Sequence, residues 1–189
     1  MPPAEPRSRA ILVCGVPGAG KSGLARRLGA SLHLPTIVRD DVKTGLATTR
    51  GTPAWEDGEA RARLGQDGFD LFHQLIDLHL AAGCSLVAEA AWHWDVARDE
   101  LVPRLADADA VVVHVVVDPA LAASRYRRRF EAGRRHPAHH DKRFAPTMTE
   151  HGYPWARYLP PDDLPLPVIT VDGGLDADLL ADETLSALP

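Results

Sequence analysis

Eight consecutive residues, Gly15-Val16-Pro17-Gly18-Ala19-Gly20-Lys21-Ser22, fill every fixed position of the pattern G-x-x-x-x-G-K-[ST]. Glycines let a backbone fold tightly around phosphate groups with its N–H groups turned inward. The lysine that follows reaches the β- and γ-phosphates, and the hydroxyl after it helps hold Mg²⁺. A helix opening at this point adds the positive end of its dipole. Gly15, Gly18, Ala19, Gly20, Lys21, Ser22 and Gly23 are therefore candidate nucleotide-binding residues, with Ser22 as the candidate metal ligand. A glycine-rich turn that merely resembles the pattern is the alternative. The flanks argue against it. Ala10 to Cys14 is an apolar run suited to a buried parallel strand, and Leu24, Leu28 and Leu32 repeat at helical spacing.

Acidic residues come next. The short apolar run Thr36 to Val38 ends at Arg39-Asp40-Asp41. That places Asp40 and Asp41 at the carboxyl end of a predicted strand, on the edge where open α/β sheets bind ligands. A hydroxyl acceptor must shed a proton, and a positioned aspartate can take it or orient the attacking oxygen. An already ionised phosphate acceptor needs no base, so a carboxylate here favours an alcohol, although carboxylates also ligate Mg²⁺. Alternatively, the pair caps a helix beginning at Asp41. Glu89 ends a third strand at the same edge, where it could serve the metal, the acceptor or only the surface. Trp92, His93 and Trp94 follow; paired tryptophans could stack on a flat or sugar-like substrate, or simply pack.

Arg125, Arg128 and Arg129 share one side of a predicted helix, and Arg134 and Arg135 follow Gly133. Such a run is either a solvated face or a contact for phosphates. His136, His139 and His140 tempt one toward zinc, but no cysteine or carboxylate completes a familiar pattern. Substrate contact or an exposed loop is the simpler reading.

The elements needed to position these groups follow from periodicity. Beyond the first helix, Thr44 to Gly58 has no period and is expected to be a loop. Glu59 to Ala82 has the stripe of a long helix, stopped by Gly83. Ser85 to Ala88 is a strand, Asp95 a candidate cap for a helix limited by Pro103, and Ala110 to Val117 a valine-rich strand. Asp118-Pro119 caps the helix that runs to Ala132. Arg134 to Pro161 is expected to be irregular, Val168 to Val171 a fifth strand, and Asp176 to Leu188 a closing helix. Strands alternating with helices give an α/β fold around a parallel sheet, read here as one domain over residues 1–189.

The 189 residues are 45% hydrophobic with a net charge of −5, which excludes global disorder and disfavours a nucleic-acid partner. Cys14 and Cys84 sit in or beside apolar runs and are expected to be buried and reduced. Met1 to Arg9 lacks the apolar core of a signal peptide, and no run reaches the roughly 18 apolar residues of a membrane span. A cytoplasmic location is expected.

The loop Gly15–Ser22, the segment Arg39-Asp40-Asp41-Val42-Lys43 and the arginine-rich Arg125–Pro137 region resemble the small P-loop kinases, a group including chloramphenicol phosphotransferase, gluconate kinase and polynucleotide 5′-kinase. The resemblance implies a three-layer P-loop fold with strand order 2-3-1-4-5 and a mobile helical lid at approximately 119–145. It implies ATP and Mg²⁺ as cofactors and a small hydroxylated molecule (antibiotic, sugar or nucleoside) as acceptor. Asp40 would handle the acceptor proton, and Lys21, Arg129 and Arg135 would act on the transferring phosphoryl group with Arg125 behind them. Lys43 stands where polynucleotide 5′-kinase has an arginine, and Asp41, Lys43, Glu89 and Trp92 are the candidate acceptor contacts. A polynucleotide 5′-hydroxyl acceptor and a slow ATP-hydrolysing switch are the competing expectations.

Overall fold

The β1 segment Arg9–Gly15 is buried along almost its whole length, and its alternate side chains feed two separate cores. Ile11 and Val13 join Leu24 and Leu28 of α1 (Lys21–Leu32). Ala10, Leu12 and Cys14 join Phe72 and Ile76 of α3 (Gly58–Ala81) on the other face. A strand covered on both faces needs no polar alternation, which is why its sequence is a continuous apolar run. The computed structural model describes residues 7–54, 56–133, 135–149 and 153–189.

Among the described residues, β1 is the centre of a five-stranded, all-parallel sheet of order β2-β3-β1-β4-β5, as the resemblance implied. Its neighbours are β2 (Thr36–Val38), β3 (Leu86–Glu89), β4 (Asp109–Val116) and β5 (Val168–Asp172). Helices α1 and α7 (Ala177–Ala187) pack on one face, with Leu180 and Ala181 closing that core. The other face takes α3 and α4 (Trp94–Arg104), whose Leu101 is fully buried. In register, Val13 lies opposite Glu89 and Gly15 opposite Val115, so the carboxyl ends of three strands converge beside the phosphate loop.

Several local expectations need correction. Residues 44–50 belong to a helix, α2 (Arg39–Arg50), rather than to a loop. Only Ala47 in it is buried, against Leu64 and Ala138, so tertiary contact rather than an apolar stripe holds it. It opens at Arg39 with Val38 as an N-cap that makes no side-chain bond, so neither aspartate caps it; Asp40 and Asp41 occupy its first turn. The cap of α4 is His93, not Asp95, and Pro103 sits within its last turn. Cys84 is exposed, while Cys14 is buried as expected; both are free. The stretch after Gly133 is a chain of short turns: 3₁₀ turns at Pro137–His139, Ala145–Thr147 and Trp155–Tyr158, and a single-turn α6 at Asp141–Phe144. Polar side chains with tertiary partners sustain those turns, which periodicity cannot register. Other punctuation falls where expected. Asp118 accepts from the N–H groups of Ala120 and Leu121 to start α5 (Pro119–Glu131), and Gly83 and Gly133 take positive φ.

Candidate active site

The phosphate loop is fixed by what a glycine allows. Gly15 and Gly18 have φ of 134° and 90°. A Cβ on Gly15 would lie 2.4 Å from the carbonyl oxygen of Val115, and one on Gly18 would lie 2.4 Å from that of Ala122. Any side chain at either place would push the loop off β4 or off α5. At its end, Lys21 is buried, donates to the carbonyl of Val16 at 2.9 Å, and lies 3.8 Å from Oε1 of Glu89. Ser22 Oγ donates to Oε2 of the same carboxylate at 2.9 Å. Burial pushes the Glu89 carboxyl up, against the pull of Lys21; burial likewise lowers the Lys21 ammonium, against the pull of Glu89. Glu89 is thus no surface carboxylate. Its buried carboxylate and the Ser22 hydroxyl form a pair of hard oxygen donors suited to Mg²⁺.

A cleft of about 520 Å³ opens from this loop toward the first turn of α2. Lys21, Ser22, Glu89, Asp40, Arg129 and Arg135 all border it. Asp40 Oδ2 is bound by Arg135, from the segment after α5. Its Oδ1 is held loosely, 3.5 Å from Arg39 and 3.7 Å from His139 Nδ1. Burial works against the charged form of Asp40, but the surrounding cations outweigh it and keep its pKa below the usual carboxylate value. Burial also pushes His139 down to about 3, so at neutral pH that imidazole is uncharged, and Arg135, Arg39 and Lys21 are the cations that act on Asp40. His139 Nε2 meets the hydroxyl of Thr44 at 3.0 Å.

Arg135 also donates to Asp141 at 3.0 Å, whose same oxygen accepts from Tyr126 at 2.7 Å. The segment after α5 is thereby tied to both α2 and α5. Arg129 stands over the Tyr126 ring at 5.0 Å, and its buried Nε has no hydrogen-bond partner among the described residues. A second hollow, about 620 Å³, lies on the other side of the loop. Gly23, Arg125 and the Gly173–Gly174 turn line it, and Arg125 donates to the carbonyl of Gly173 at 2.6 Å. The two hollows share Gly18, Lys21, Ser22 and Arg129. Arg128 borders neither, and Arg134 lies outside the described residues.

Some expected residues are elsewhere. Asp41 pairs with Arg26 of α1 at 2.6 Å and borders neither hollow. Trp92 touches the cleft but is only 1% exposed, its ring packed on Phe72 and Trp94, so it has no open face for stacking. The packing alternative holds for both tryptophans, because the loop after β3 dips into the core. Among the described residues no group of three or more His, Cys, Asp or Glu is arranged to hold a metal, and His136 instead accepts from the Ala138 N–H. Sequence reasoning missed Arg39, whose guanidinium lies 4.2 Å over the Phe69 ring while it donates to Gly65. It also missed Asp141 and the Gly173–Gly174 turn. Arg39 adjoined a recognised pair and could have been found; the other two carry no local signal.

Comparison with known proteins places the chain. A family model described as an AAA domain matches residues 11–150. A protein of Chloroflexus aurantiacus provisionally assigned as a kinase superposes with a TM-score of 0.75 at 22% identity, over 96% of this chain and 99% of that one. The APS kinase of Mycobacterium tuberculosis, solved with AMPPNP and APS, gives 0.60 at 18% identity, over 96% and 97%. A gluconokinase of Sinorhizobium meliloti gives 0.54 at 19% identity, over 96% and 90%. No curated protein sequence matches. The sheet order and helical layers are those of the P-loop kinases. No helix among the described residues is long and apolar enough to cross a membrane.

Proposed function

The chain belongs to the AAA domain family, and from that premise we propose that it transfers the γ-phosphoryl group of ATP to a hydroxyl of a small molecule. One observation carries the reading: the Asp40 carboxylate borders the same cleft as Lys21 and Ser22, and its Oδ1 is held only loosely, by Arg39 at 3.5 Å and His139 at 3.7 Å. The solved neighbours support it, being kinases named for a sugar, gluconate, shikimate or APS.

The residues divide the work. The loop from Gly15 to Gly20 turns its backbone toward phosphate oxygens, and Gly23, Arg125 and the Gly173–Gly174 turn enclose the rest of the nucleotide. Lys21 can leave its contact with the Val16 carbonyl for a phosphate oxygen, a charge-assisted bond that a buried ammonium favours. Ser22 and Glu89 would hold Mg²⁺, which when bound would offset charge between the phosphates. Asp40 is ionised at neutral pH and is a weak base. It orients the acceptor hydroxyl through Oδ1 and takes the proton late, which suits a loose transition state. Arg129 and Arg135 supply positive charge beside the transferring group, and the lid contacts of Arg135 with Asp40 and Asp141 keep water out.

The test is Asp40→Asn, which keeps the shape of the side chain and removes its charge. With an alcohol found by screening for ADP release, transfer should fall by ~10²–10⁴-fold. AMPPNP affinity, measured in parallel, should hold. A variant that binds AMPPNP normally and phosphorylates the alcohol at the original rate would overturn the assignment.

A further inference from the structure

Around the first turn of α2 the cleft gathers Arg39, Lys43 and Arg135 about one carboxylate, Asp40; a second, Glu100, borders the cleft from α4 and lies 3.6 Å from His73. Lys43 stands one turn after Asp40 on α2, and its chain packs over Gly68 of α3, where an added Cβ would lie 3.5 Å from Lys43 Cβ. It borders the cleft. Among the described residues its ammonium makes no hydrogen bond and no ion pair. Its basic neighbours in the cleft are engaged. Arg39 is shared by Asp40, the Gly65 carbonyl and the Phe69 ring, and Arg135 by Asp40 and Asp141. The groups whose charge Lys43 feels, or that feel its charge, are Arg39 and Asp40 from α2, Arg61 from α3, and Arg135, His139 and His140 from the lid side. Only Asp40 among them is acidic. Burial, with Arg39, Arg135 and Arg61, lowers Lys43 to about 8 against the pull of Asp40. A half-buried cation without a partner gains a charge-assisted bond when an anion arrives.

The same space has a carbon wall. Phe69, Val96 and Phe144 border it with half-buried or exposed side chains. Val96 and Phe144 are 54% and 41% exposed, so two large apolar side chains face solvent across one cleft. A bare polyol would leave Lys43 unpaired and set its hydroxyls against carbon.

We infer that the acceptor is an amphiphilic anion: an alcohol whose carboxylate or phosphate group pairs with Lys43 and whose apolar body lies along Phe69, Val96 and Phe144. The inference rests on the reading of this cleft as the acceptor side of a phosphotransferase.

Binding to matched probes tests it without turnover. The intact protein, saturated with AMPPNP and Mg²⁺ to fill the phosphate loop, is titrated calorimetrically with 3-phenyllactate and with neutral 3-phenyllactamide. The carboxylate should bind at least about tenfold more tightly, the usual worth of a charged hydrogen bond. Lys43→Met should abolish that preference and leave AMPPNP affinity unchanged. In the wild-type protein the affinity for 3-phenyllactate should fall as pH rises through about 8, where Lys43 loses its charge, while that for the amide stays flat. This arm decides the matter even if the variant does not fold. Phenyl phosphate distinguishes the two sources: tighter binding than 3-phenyllactate assigns the pocket to phosphate esters, and weaker binding to carboxylates. Equal binding of acid and amide, a preference that survives Lys43→Met, or no binding of either probe at millimolar concentration overturns the inference. AMPPNP that fails to bind would instead strike the kinase reading, and the same titrations without nucleotide would still judge the anion preference.

Discussion

The two hollows that meet at Lys21 are built on opposite principles. In the hollow we assign to the nucleotide, Gly18, Gly20, Gly23, Gly173 and Gly174 bring main chain to the surface. The cleft we assign to the acceptor is lined mostly by long side chains from α2, α3, α4 and the turns after α5. Phosphates are the same in every nucleotide, so fixed N–H groups suffice for them. An acceptor is particular, and only side chains can be particular. The carboxylates of buried Glu89 and half-exposed Asp40 mark the same division. Glu89, facing the loop, has one cation at 3.8 Å, and burial wins, raising its pKa. Asp40, facing the acceptor, is ringed by Arg135, Arg39 and Lys21; there the cations win and its pKa falls.

The comparison is broken most severely at the residue both sides share. Lys21→Ala should cost ~10²–10³-fold or more in transfer, since a buried charge aimed at the reacting phosphates is lost. Steady-state rates with a folded variant check it, and normal turnover would sink the whole scheme.

Arg135→Ala acts on the acceptor side alone. Transfer should fall by about tenfold or more, and the acid limb of kcat/KM should move to higher pH. The sign follows from Asp40. Its native pKa lies below 3.8 because of cations that include Arg135, so removing Arg135 lets it rise. The paired form contributes stability that is present above pH 3.8 and lost as pH falls through the lower native value. An unmoved acid limb would mean that Arg135 does not set the ionisation of Asp40.

Gly18→Ala attacks the backbone side. The new methyl would meet the Ala122 carbonyl at 2.4 Å in a residue with φ of 90°, so stability should drop by about 1–3 kcal/mol. Denaturant unfolding measures it. A drop of less than about 0.5 kcal/mol would show that the loop and α5 separate at little cost.

Melting tests the metal site that joins the two hollows. AMPPNP with Mg²⁺ at a hundredfold excess over its Kd should add ~2.7 kcal/mol of stability, and removing Mg²⁺ should reduce that gain. A melting temperature that is the same with and without metal would remove Ser22 and Glu89 as its holders.

The sequence by itself determined the phosphate loop, the alternation of strands and helices, and the caps at Asp118, Gly83 and Gly133. These are local: each depends on residues a few positions apart, so type and spacing are enough. It also singled out Asp40, Arg129 and Arg135, although it could not show that Arg135 closes on Asp40 from 95 positions away. Tertiary structure alone decided that Asp41 turns to Arg26 while Asp40 turns to the cleft, and that Trp92 sinks into the core. It also turned an unpatterned stretch into α2, through Ala47 packed on Leu64 and Ala138. Neighbouring residues on a helix point about 100° apart, and which direction is the cleft depends on elements far away in the chain. The isolation of Lys43 among the described residues is of the same kind. Whether a cation has a partner is a property of the space around it, and no spacing in the sequence encodes that space.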